Sequence, residues 1–238
     1  MSHEPSCESC SSCENSCVRH VPVFACLSEH EVHLLHQAVQ STSYRKGEFV
    51  FREGDPANSL YIVHQGVLKI AKLSSEGKEH ILRFLFPGDF TGQFALFKED
   101  LQYADAQVLE DATVCRVQRN DVFEIMERNP EIAHGFLAAM SERLREADES
   151  MGAITLYDVN RRLARSLLMF AINHEEAAAF LLPIAKKDLA ASLGISPETL
   201  SRKLALFEAR RVLSLQGRKQ LTILNAGELS EIAAYGLA

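Results

Sequence analysis

The sequence predicts an α+β fold in which an antiparallel β-barrel or jelly roll precedes a long helix and a winged helix-turn-helix. Several observations support this prediction. Short apolar runs broken by Gly and Pro extend from Tyr44 to about Val117, an apolar heptad stripe follows Pro130, and two helical patterns flank Gly194-Ile195-Ser196. The length of 238 residues suits two domains joined by a connecting element.

The predicted first domain begins with a short helix and continues as strands. Ser28 and Glu31 have capping-box spacing at the start of an amphipathic helical pattern. The strands that follow are rich in Val, Ile, Phe and Leu, which favour extended structure. Their rhythm indicates a closed barrel with protected edges. The turns between them are marked by Gly47, Gly54-Asp55-Pro56, Gly66, Ser75-Glu76-Gly77 and Pro87-Gly88-Asp89.

Two helix starts follow the predicted strands. Asn120 is expected to cap a helix over Asp121–Glu127, and Asn129-Pro130 is expected to begin a long helix that ends near Tyr157. Apolar residues of the long helix alternate spacings of three and four, which is the pattern of a helix packed on a partner helix. We therefore predict a homodimer interface there, with packing of the stripe on its own barrel as the alternative. The stripe comprises Leu137, Met140, Leu144, Ala147, Met151 and Ile154.

The most specific part of the sequence is a helix-turn-helix pattern in residues 184–212. Small Ala190 allows two helices to approach, Gly194 permits a tight turn, and Ile195 is expected to fill the gap between the helices. Ser196-Pro197 supplies a cap and a first residue for the second helix. The pattern therefore predicts a helix that reads DNA.

The second helix of this pattern carries side chains suited to the major groove. Glu198, Ser201 and Arg202 are expected to face outward, because the apolar positions of the same helix face the core. Arg can donate two hydrogen bonds to guanine, Glu can accept one from cytosine, and Ser can serve either kind of partner. A predicted hairpin after the helix completes a winged helix. Further DNA contacts are expected from Thr199, Lys203 and, at the hairpin tip, Arg218 and Lys219.

The charge distribution agrees with a nucleic-acid partner, although the formal net charge is −7. Phosphate binding depends on local positive charge and not on the average over the chain. The C-terminal part of the chain is rich in cations, which predicts a local basic face. Its cations are Arg161, Arg162, Arg165, Lys186, Lys187, Arg202, Lys203, Arg210, Arg211, Arg218 and Lys219.

Of the six cysteines, Cys7, Cys10, Cys13 and Cys17 crowd the start of the chain. The sequence contains neither a long apolar span nor a secretory signal core, so a reducing, cytoplasmic location with no membrane partner is expected. In that compartment crowded cysteines favour metal or redox chemistry over structural disulfides. An iron-sulfur cluster, a tetrahedral zinc site and a reversible disulfide with Cys115 all fit this pattern.

Three segments of the helix-turn-helix resemble the signature of the CRP/FNR regulators: Asp188-Leu189-Ala190, Leu193-Gly194-Ile195-Ser196 and Glu198-Thr199-Leu200-Ser201-Arg202. The resemblance covers nearly the whole chain. It implies a cyclic-nucleotide-binding-like jelly-roll barrel in a non-enzymatic transcription regulator that binds double-stranded DNA as a homodimer and contacts RNA polymerase. The implied domains are a sensory arm at 1–26, a sensor barrel at 27–129, a dimerisation helix at 130–158 and a DNA-binding domain at 159–238.

The trio Glu198, Ser201 and Arg202 is similar to that of the FNR branch, which implies a two-fold symmetric DNA site with TTGAT-like halves. In that branch three N-terminal cysteines and one on a barrel strand hold a 4Fe-4S cluster that senses oxygen. The resemblance therefore implies oxygen or redox sensing here. The matching ligands are Cys10, Cys13, Cys17 and Cys115, with Cys7 as an alternative ligand.

The chain departs from the family pattern at some positions. Gln102-Tyr103-Ala104-Asp105 stands where members that bind a cyclic nucleotide carry Arg with Ser or Thr, so no cyclic nucleotide is expected. Arg211 stands where a Gly often ends the recognition helix. Ala147 replaces an acidic residue of the oxygen sensor, so we expect the dimer to persist without the cluster.

Two other functions compete with an iron-sulfur regulator. A regulator switched by a thiol-disulfide pair without metal would use the same cysteines. A cupin-like metal enzyme would share the barrel, but it needs clustered ligands, whereas His64 and His80 are isolated in the sequence.

Overall fold

The computed structural model of the chain describes Val21, Phe24, Val32, Leu35 and residues 38–77, 79–97, 100–172, 179–217 and 220–237. The chain divides into two compact units, Met1–Glu76 with Leu82–Leu144 and Gly77–Ile81 with Arg145–Ala238. Val32, Leu35 and Ala38 are helical, in agreement with the amphipathic helix predicted after Ser28. Among the described residues, no helix is long and apolar enough to cross a membrane.

The first unit is built on antiparallel strands. They are β1 (Gln40–Tyr44), β2 (Phe49–Phe51), β3 (Pro56–Ala57), β4 (Ser59–Leu73), β5 (Glu79–Leu85), β6 (Phe90–Thr91), β7 (Asp100–Leu101) and β8 (Asp105–Gln118). One sheet has the order β1-β8-β4-β5, with β2 on β8 and β6 on β4, and β3 pairs with β7. At the bend of β4, Gly66 has φ of 86°, and a Cβ there would lie 2.5 Å from the carbonyl oxygen of Asp111. Only glycine fits that crossing, and the predicted glycine-punctuated β-domain is confirmed.

The described residues of this unit include two apolar cores. One packs strand residues such as Tyr61 and Val114. The other joins Cys115 to Phe136 and to Val21. Val114 and Cys115 are neighbours on β8 and therefore point to opposite faces of the strand. The strand thus contributes to both cores, and its cysteine lies in the core shared with the helices and the N-terminal residues.

The helices next to the strands are α1 (Phe94–Phe97), α2 (Arg119–Arg128) and α3 (Pro130–Leu156). The long helix α3 begins as predicted, and Asn129 Oδ1 accepts a hydrogen bond from the N–H of Glu131 at 3.0 Å. The predicted cap at Asn120 is wrong, because Asn120 lies inside α2. The N–H of Arg119 instead donates to the carbonyl oxygen of Asn58 at 3.0 Å. A contact with the loop before β4 therefore fixes the start of α2.

The second unit contains the remaining elements, which are α4 (Val159–Ile172), β9 (Ala179–Leu181), α5 (Lys186–Ser192), α6 (Pro197–Ala209), β10 (Leu213–Gln216), β11 (Gln220–Ile223) and α7 (Ala226–Tyr235). Strands β10 and β11 form the predicted hairpin, and β9 pairs with β11 as a third strand. Helix α7 packs against α4. The sequence patterns predicted neither β9 nor α7.

Candidate nucleic-acid interface

The turn between α5 and α6 has the geometry that the sequence predicts. Gly194 has φ of 66°, a left-handed conformation that favours glycine. Ser196 is the N-cap of α6, where its hydroxyl oxygen accepts a hydrogen bond from the N–H of Thr199 at 3.2 Å, and Pro197 follows in the first turn. Ala190 is buried, whereas Ile195 is half-buried. The helix-turn-helix is confirmed, but Ile195 fills the gap between the helices less completely than expected.

Helix α6 presents one apolar face and one polar face. Leu200, Leu204 and Phe207 are buried. The opposite face exposes Glu198, Ser201 and Arg202, flanked by the half-buried Thr199 and Lys203. The hydroxyl of Ser201 donates a hydrogen bond to the carbonyl oxygen of Pro197 at 3.0 Å. The polar face near the start of α6 is therefore available to base edges in a major groove.

The start of α6 determines the charge state of Glu198. Hydrogen bonds from its own backbone N–H and then from the Ser196 hydroxyl hold the pKa of Glu198 below its ordinary value of 4.5, and the positive charge of Arg202 acts in the same direction. The N-terminal end of a helix favours negative charge for the same reason. Glu198 therefore carries a carboxylate at neutral pH and can only accept hydrogen bonds.

Two cations of the predicted basic face, Arg161 and Arg162, contact groups within the second unit. Arg162 donates from Nη1 to the carbonyl oxygen of Tyr157 at 3.1 Å and from Nη2 to that of Leu193 at 3.0 Å. The guanidinium of Arg161 lies 3.5 Å from the centre of the Tyr157 ring, and that of Arg165 lies 5.7 Å from it. The prediction that these cations belong to a DNA-facing surface is therefore corrected for Arg161 and Arg162, whose charged groups bind carbonyl oxygens and an aromatic ring.

Helix α6 ends at the position where the sequence departs from the family pattern. Arg211 has φ of 58°, so a side chain occupies the left-handed position that glycine commonly takes. The N–H of Val212 donates to the carbonyl oxygen of Phe207 at 2.9 Å, and the N–H of Arg211 donates to that of Glu208 at 2.9 Å. These are the two hydrogen bonds of a Schellman motif. Helix α6 therefore ends in a Schellman motif, with Arg at the position that Gly usually occupies.

The wing is attached to α6 by one carboxylate. Glu208 Oε1 accepts a hydrogen bond from the N–H of Leu215 on β10 at 2.8 Å. Gly217 follows β10 with φ of 64°, which suits a tight hairpin turn. Arg218 and Lys219, predicted at the tip of the wing, lie outside the described residues.

The predicted dimer stripe lies on α3. The barrel packs on Ile132 and Phe136, whereas Leu137 and Leu144 are 66% and 65% exposed. Their exposure disagrees with the alternative that the whole stripe packs on its own barrel. Met140 is half-buried and Ala147 is exposed, and the side chains of Met151 and Ile154 lie outside the described part of α3. The role of the stripe in a dimer stays a prediction.

The structure describes one of the predicted cluster ligands. Cys115 is fully buried, and its thiol donates a long hydrogen bond to the hydroxyl of Ser41 at 4.0 Å. Its core also contains Val21 and Phe24, the first described residues of the chain. Among the described residues, no group of three or more His, Cys, Asp or Glu side chains could hold a metal ion. The cysteines that lie outside those residues are Cys7, Cys10, Cys13, Cys17 and Cys26.

Two Gln side chains are buried in the barrel. One of them lies in the segment 102–105, where the family's Arg pair is absent. Gln102 and Gln93 are 4% and 5% exposed, and Tyr103 is half-buried with its ring edge-on to Phe94 at 5.3 Å. A cation that the sequence reasoning missed, Arg83, donates from Nη2 to the hydroxyl of Thr91 at 3.1 Å. Its place within the apolar strand β5 is the signal that could have found it. That no cyclic nucleotide binds stays a prediction.

A sensor-type barrel, a long helix and a winged helix-turn-helix with an outward polar face together define a DNA-binding transcription regulator. Residues 41–129 match the cyclic nucleotide-binding domain, and residues 161–232 match the Crp-like helix-turn-helix domain. The chain is 32% identical over 217 residues to the cyclic AMP receptor protein of Thermus thermophilus, covering 91% of this chain and 98% of that protein. It is 27% identical to the fumarate and nitrate reduction regulatory protein of Vibrio cholerae, covering 93% and 90%.

Solved structures agree with these relatives. FixK2 from Bradyrhizobium japonicum superposes with a TM-score of 0.73 at 26% identity, covering 81% of this chain and 96% of that chain. The catabolite activator protein of Thermus thermophilus has a TM-score of 0.51 at 30% identity, covering 91% and 100%. The chain belongs to the CRP/FNR family of transcription regulators. Its relatives are regulators, and the cupin-like enzyme has no support among them.

Proposed function

We propose that the chain is a dimeric, cytoplasmic regulator that senses oxygen or redox state through a 4Fe-4S cluster and binds a TTGAT-like palindrome. The proposed ligands are Cys10, Cys13, Cys17 and Cys115, with Cys7 as the alternative. The observation that supports the cluster most directly is the position of Cys115 in the core that also receives the N-terminal residues.

The reach of the chain allows the arm and the barrel to share one site. Val21 and Phe24 pack in the same core as Cys115, and Cys17 precedes Val21 by four residues. Four residues span at most about 14 Å when extended. The thiol of Cys17 can therefore come close to β8, and the tighter spacing of Cys10 and Cys13 lets the arm wrap around a cluster.

The surroundings of Cys115 suit a thiolate that ligates iron. Apolar neighbours such as Leu60 and Val117 exclude water from the thiol, and the hydroxyl of Ser41 lies at hydrogen-bond distance for sulfur. Burial and hydrogen bonds to sulfur are the means by which a protein sets the reduction potential of such a cluster. When bound, the cluster would supply an oxygen-labile, redox-active centre that links the arm to the barrel.

The FNR-like reading is supported by relatives such as the anaerobic regulatory protein of Aggregatibacter actinomycetemcomitans, which is 28% identical over 227 residues. They include the fumarate and nitrate reduction regulatory protein of Vibrio cholerae and, at 29% identity over 193 residues, the transcriptional activator protein anr of Pseudomonas aeruginosa. The cyclic AMP receptor protein of Thermus thermophilus is a relative with a different effector in its name. Gln102-Tyr103 supplies no charge for a phosphate at the position of the family's Arg pair, which favours the cluster over a cyclic nucleotide, although Arg83 beside Thr91 is a cation in the same barrel.

Anoxic purification tests the cluster. We expect a brown protein with about four irons and four sulfides per chain, and loss of both after Cys115→Ser. Cys26→Ser is the matched control, because it removes a cysteine outside the proposed ligand set. A colourless protein with a Cys115 disulfide would identify a thiol switch, and stoichiometric zinc would identify a structural zinc site.

A gel-shift titration tests the DNA site. We expect salt-dependent binding to a TTGAT-type palindrome and a loss of base discrimination worth about 1–3 kcal/mol at one base pair after Glu198→Gln. Lys187→Gln removes a charge of the predicted basic face outside α6, so as the control it should weaken binding to all sequences alike without changing base discrimination. Binding that ignores every change in the palindrome would contradict the proposed specificity, and transcription with purified RNA polymerase would test the implied contact with that enzyme.

A further inference from the structure

The first unit exposes two aromatic rings on the short helix α1. Phe94 and Phe97 are 59% and 60% exposed. Their spacing of three residues places them on one face of the helix. Exposed apolar side chains that lie side by side, unlike single ones, are candidates for an interaction surface. We call the surface that these two rings form the aromatic clasp.

Aromatic neighbours fix both rings. The Phe97 ring centre lies 6.1 Å from that of Phe123 and 5.9 Å from that of Phe136, with T-shaped geometry in both pairs. The Phe94 ring lies edge-on to Tyr103 at 5.3 Å. Edge-to-face contacts of this kind are favourable in themselves. The clasp is therefore held in place by one side of each ring while the other side faces solvent.

The heptad of α3 defines which flank of the helix carries the barrel. With Leu137 and Leu144 at position a and Met140 at position d, Phe136 and Arg143 fall at position g. Phe136 is buried in the core next to the barrel, and Arg143 Nη2 donates to the carbonyl oxygen of Phe90 at 3.1 Å. The barrel therefore lies on the g flank, where Phe97 contacts Phe136.

A dimer places the partner helix beside that flank. Two winged helices that read a palindrome sit at the same end of the dimer, so the two α3 helices run parallel. In a parallel pair, the g positions of one helix face the e positions of the other. Position e after Phe136 is Ser141, which is exposed, and the adjacent Ala138 is also exposed and small. The partner's small residues leave room for a ring.

We infer that Phe97, supported by Phe94, packs in the dimer against α3 of a second copy at the partner subunit's Ser141. The inference rests on the proposed dimer and extends it, because the barrel of one subunit then contacts the helix of the other directly. Within one subunit Ser141 lies about 140° around α3 from Phe136. The contact between Phe97 and Ser141 is therefore between subunits.

Sedimentation of the full, anoxically purified chain tests the clasp. We expect Phe97→Ser to raise the dimer dissociation constant by about tenfold or more, because each dimer loses two buried rings. Leu181→Ser is the matched control, since Leu181 is 62% exposed on β9 of the second unit, and it should leave the constant unchanged. Far-UV circular dichroism of each variant confirms that the fold is intact.

A charge pair tests the partner residue itself. We expect Phe97→Lys and Ser141→Glu each to weaken the dimer, and the double variant to recover to within about threefold of the original chain. Additive weakening in the double variant overturns the contact. A monomeric unsubstituted chain overturns both the proposed dimer and the clasp. If Phe97→Ser leaves a tight dimer unchanged, the aromatic clasp alone is overturned. Loss of transcription in that variant would then assign the two rings to a contact with RNA polymerase.

Discussion

Arg162 donates a hydrogen bond from Nη2 to the carbonyl oxygen of Leu193 at 3.0 Å, where α5 ends and the turn to the recognition helix begins. The same guanidinium donates from Nη1 to the carbonyl oxygen of Tyr157, one residue beyond the end of α3. One side chain therefore joins the end of the long helix to the turn that orients α6.

Replacing Arg162 should disturb that turn. We expect Arg162→Met to lower the free energy of unfolding by about 1.5–3 kcal/mol, because two carbonyl oxygens lose a charged donor. Operator affinity should fall with it, since the position of α6 depends on the turn. Thermal unfolding and gel shifts measure the two effects.

The control for this change is Arg165→Met, which removes the same charge from an exposed residue of the same helix. If both variants lost stability equally, net charge and not the bridge to Leu193 would be responsible.

The left-handed backbone at Arg211 predicts a stabilising substitution. Its φ of 58° costs a residue with a Cβ about 1 kcal/mol relative to glycine. Arg211→Gly should therefore raise the free energy of unfolding by up to about that amount, measured as the midpoint of urea denaturation. Arg211→Ala keeps the Cβ and should bring no gain, so equal stability of the Gly and Ala variants would contradict this explanation.

The cap of α6 predicts a linked change in stability and titration. Ser196→Ala removes the acceptor for the N–H of Thr199 and should cost about 1 kcal/mol. It also removes a hydrogen bond that lowers the pKa of Glu198, so that pKa should rise towards 4.5 in an NMR titration.

The sign of the pH effect follows from the depressed pKa. The carboxylate of Glu198 contributes stability above its unfolded-state pKa, and this contribution is lost as pH falls through the lower folded-state value. The difference in stability between the Glu198→Gln variant and the unsubstituted chain should therefore shrink as the pH falls below 4.5. A stability difference that stayed constant as the pH fell below 4.5 would contradict the proposed role of the Glu198 carboxylate.

Ala147 predicts how the dimer responds to charge. It is an exposed residue of the stripe on α3, and Ala147→Glu would place two carboxylates close together across a symmetric interface. We expect the cluster-free variant to dissociate at micromolar concentration while the cluster-free original chain stays dimeric. Ala147→Gln, which adds a side chain of the same size without the charge, is the control. Dissociation of the original chain on cluster loss would contradict the expectation based on Ala147.

Local signals in the sequence were sufficient for the elements that carry their own caps. Asn129 opens α3, and Ser196 caps α6, each within hydrogen-bond distance of its target. The side chain of Asn225 caps α7 in the same way by accepting from the N–H of Glu228 at 3.0 Å. That spacing was readable in the sequence, so α7 could have been predicted.

Other features depend on contacts between distant residues. Strand β9 has three residues and exists because Phe180 pairs with Leu221 on β11. Arg161 and Arg162 contact groups inside the second unit because the fold brings Tyr157 close to them. The sequence shows that these residues are charged but not which groups they contact. The exposed rings of α1 were missed because apolar residues in a four-residue helix resemble core residues of a strand.

The hydrogen bond from Ser201 to Pro197 decides how this serine can take part in recognition. A hydroxyl has one proton, and the Ser201 proton is directed to a carbonyl oxygen of its own helix. What remains for DNA are the lone pairs of the oxygen. Ser201 therefore favours base edges that present an amino group, adenine N6 or cytosine N4. The hydrogen bond to the helix backbone thus helps to select the base that the Ser201 side chain contacts.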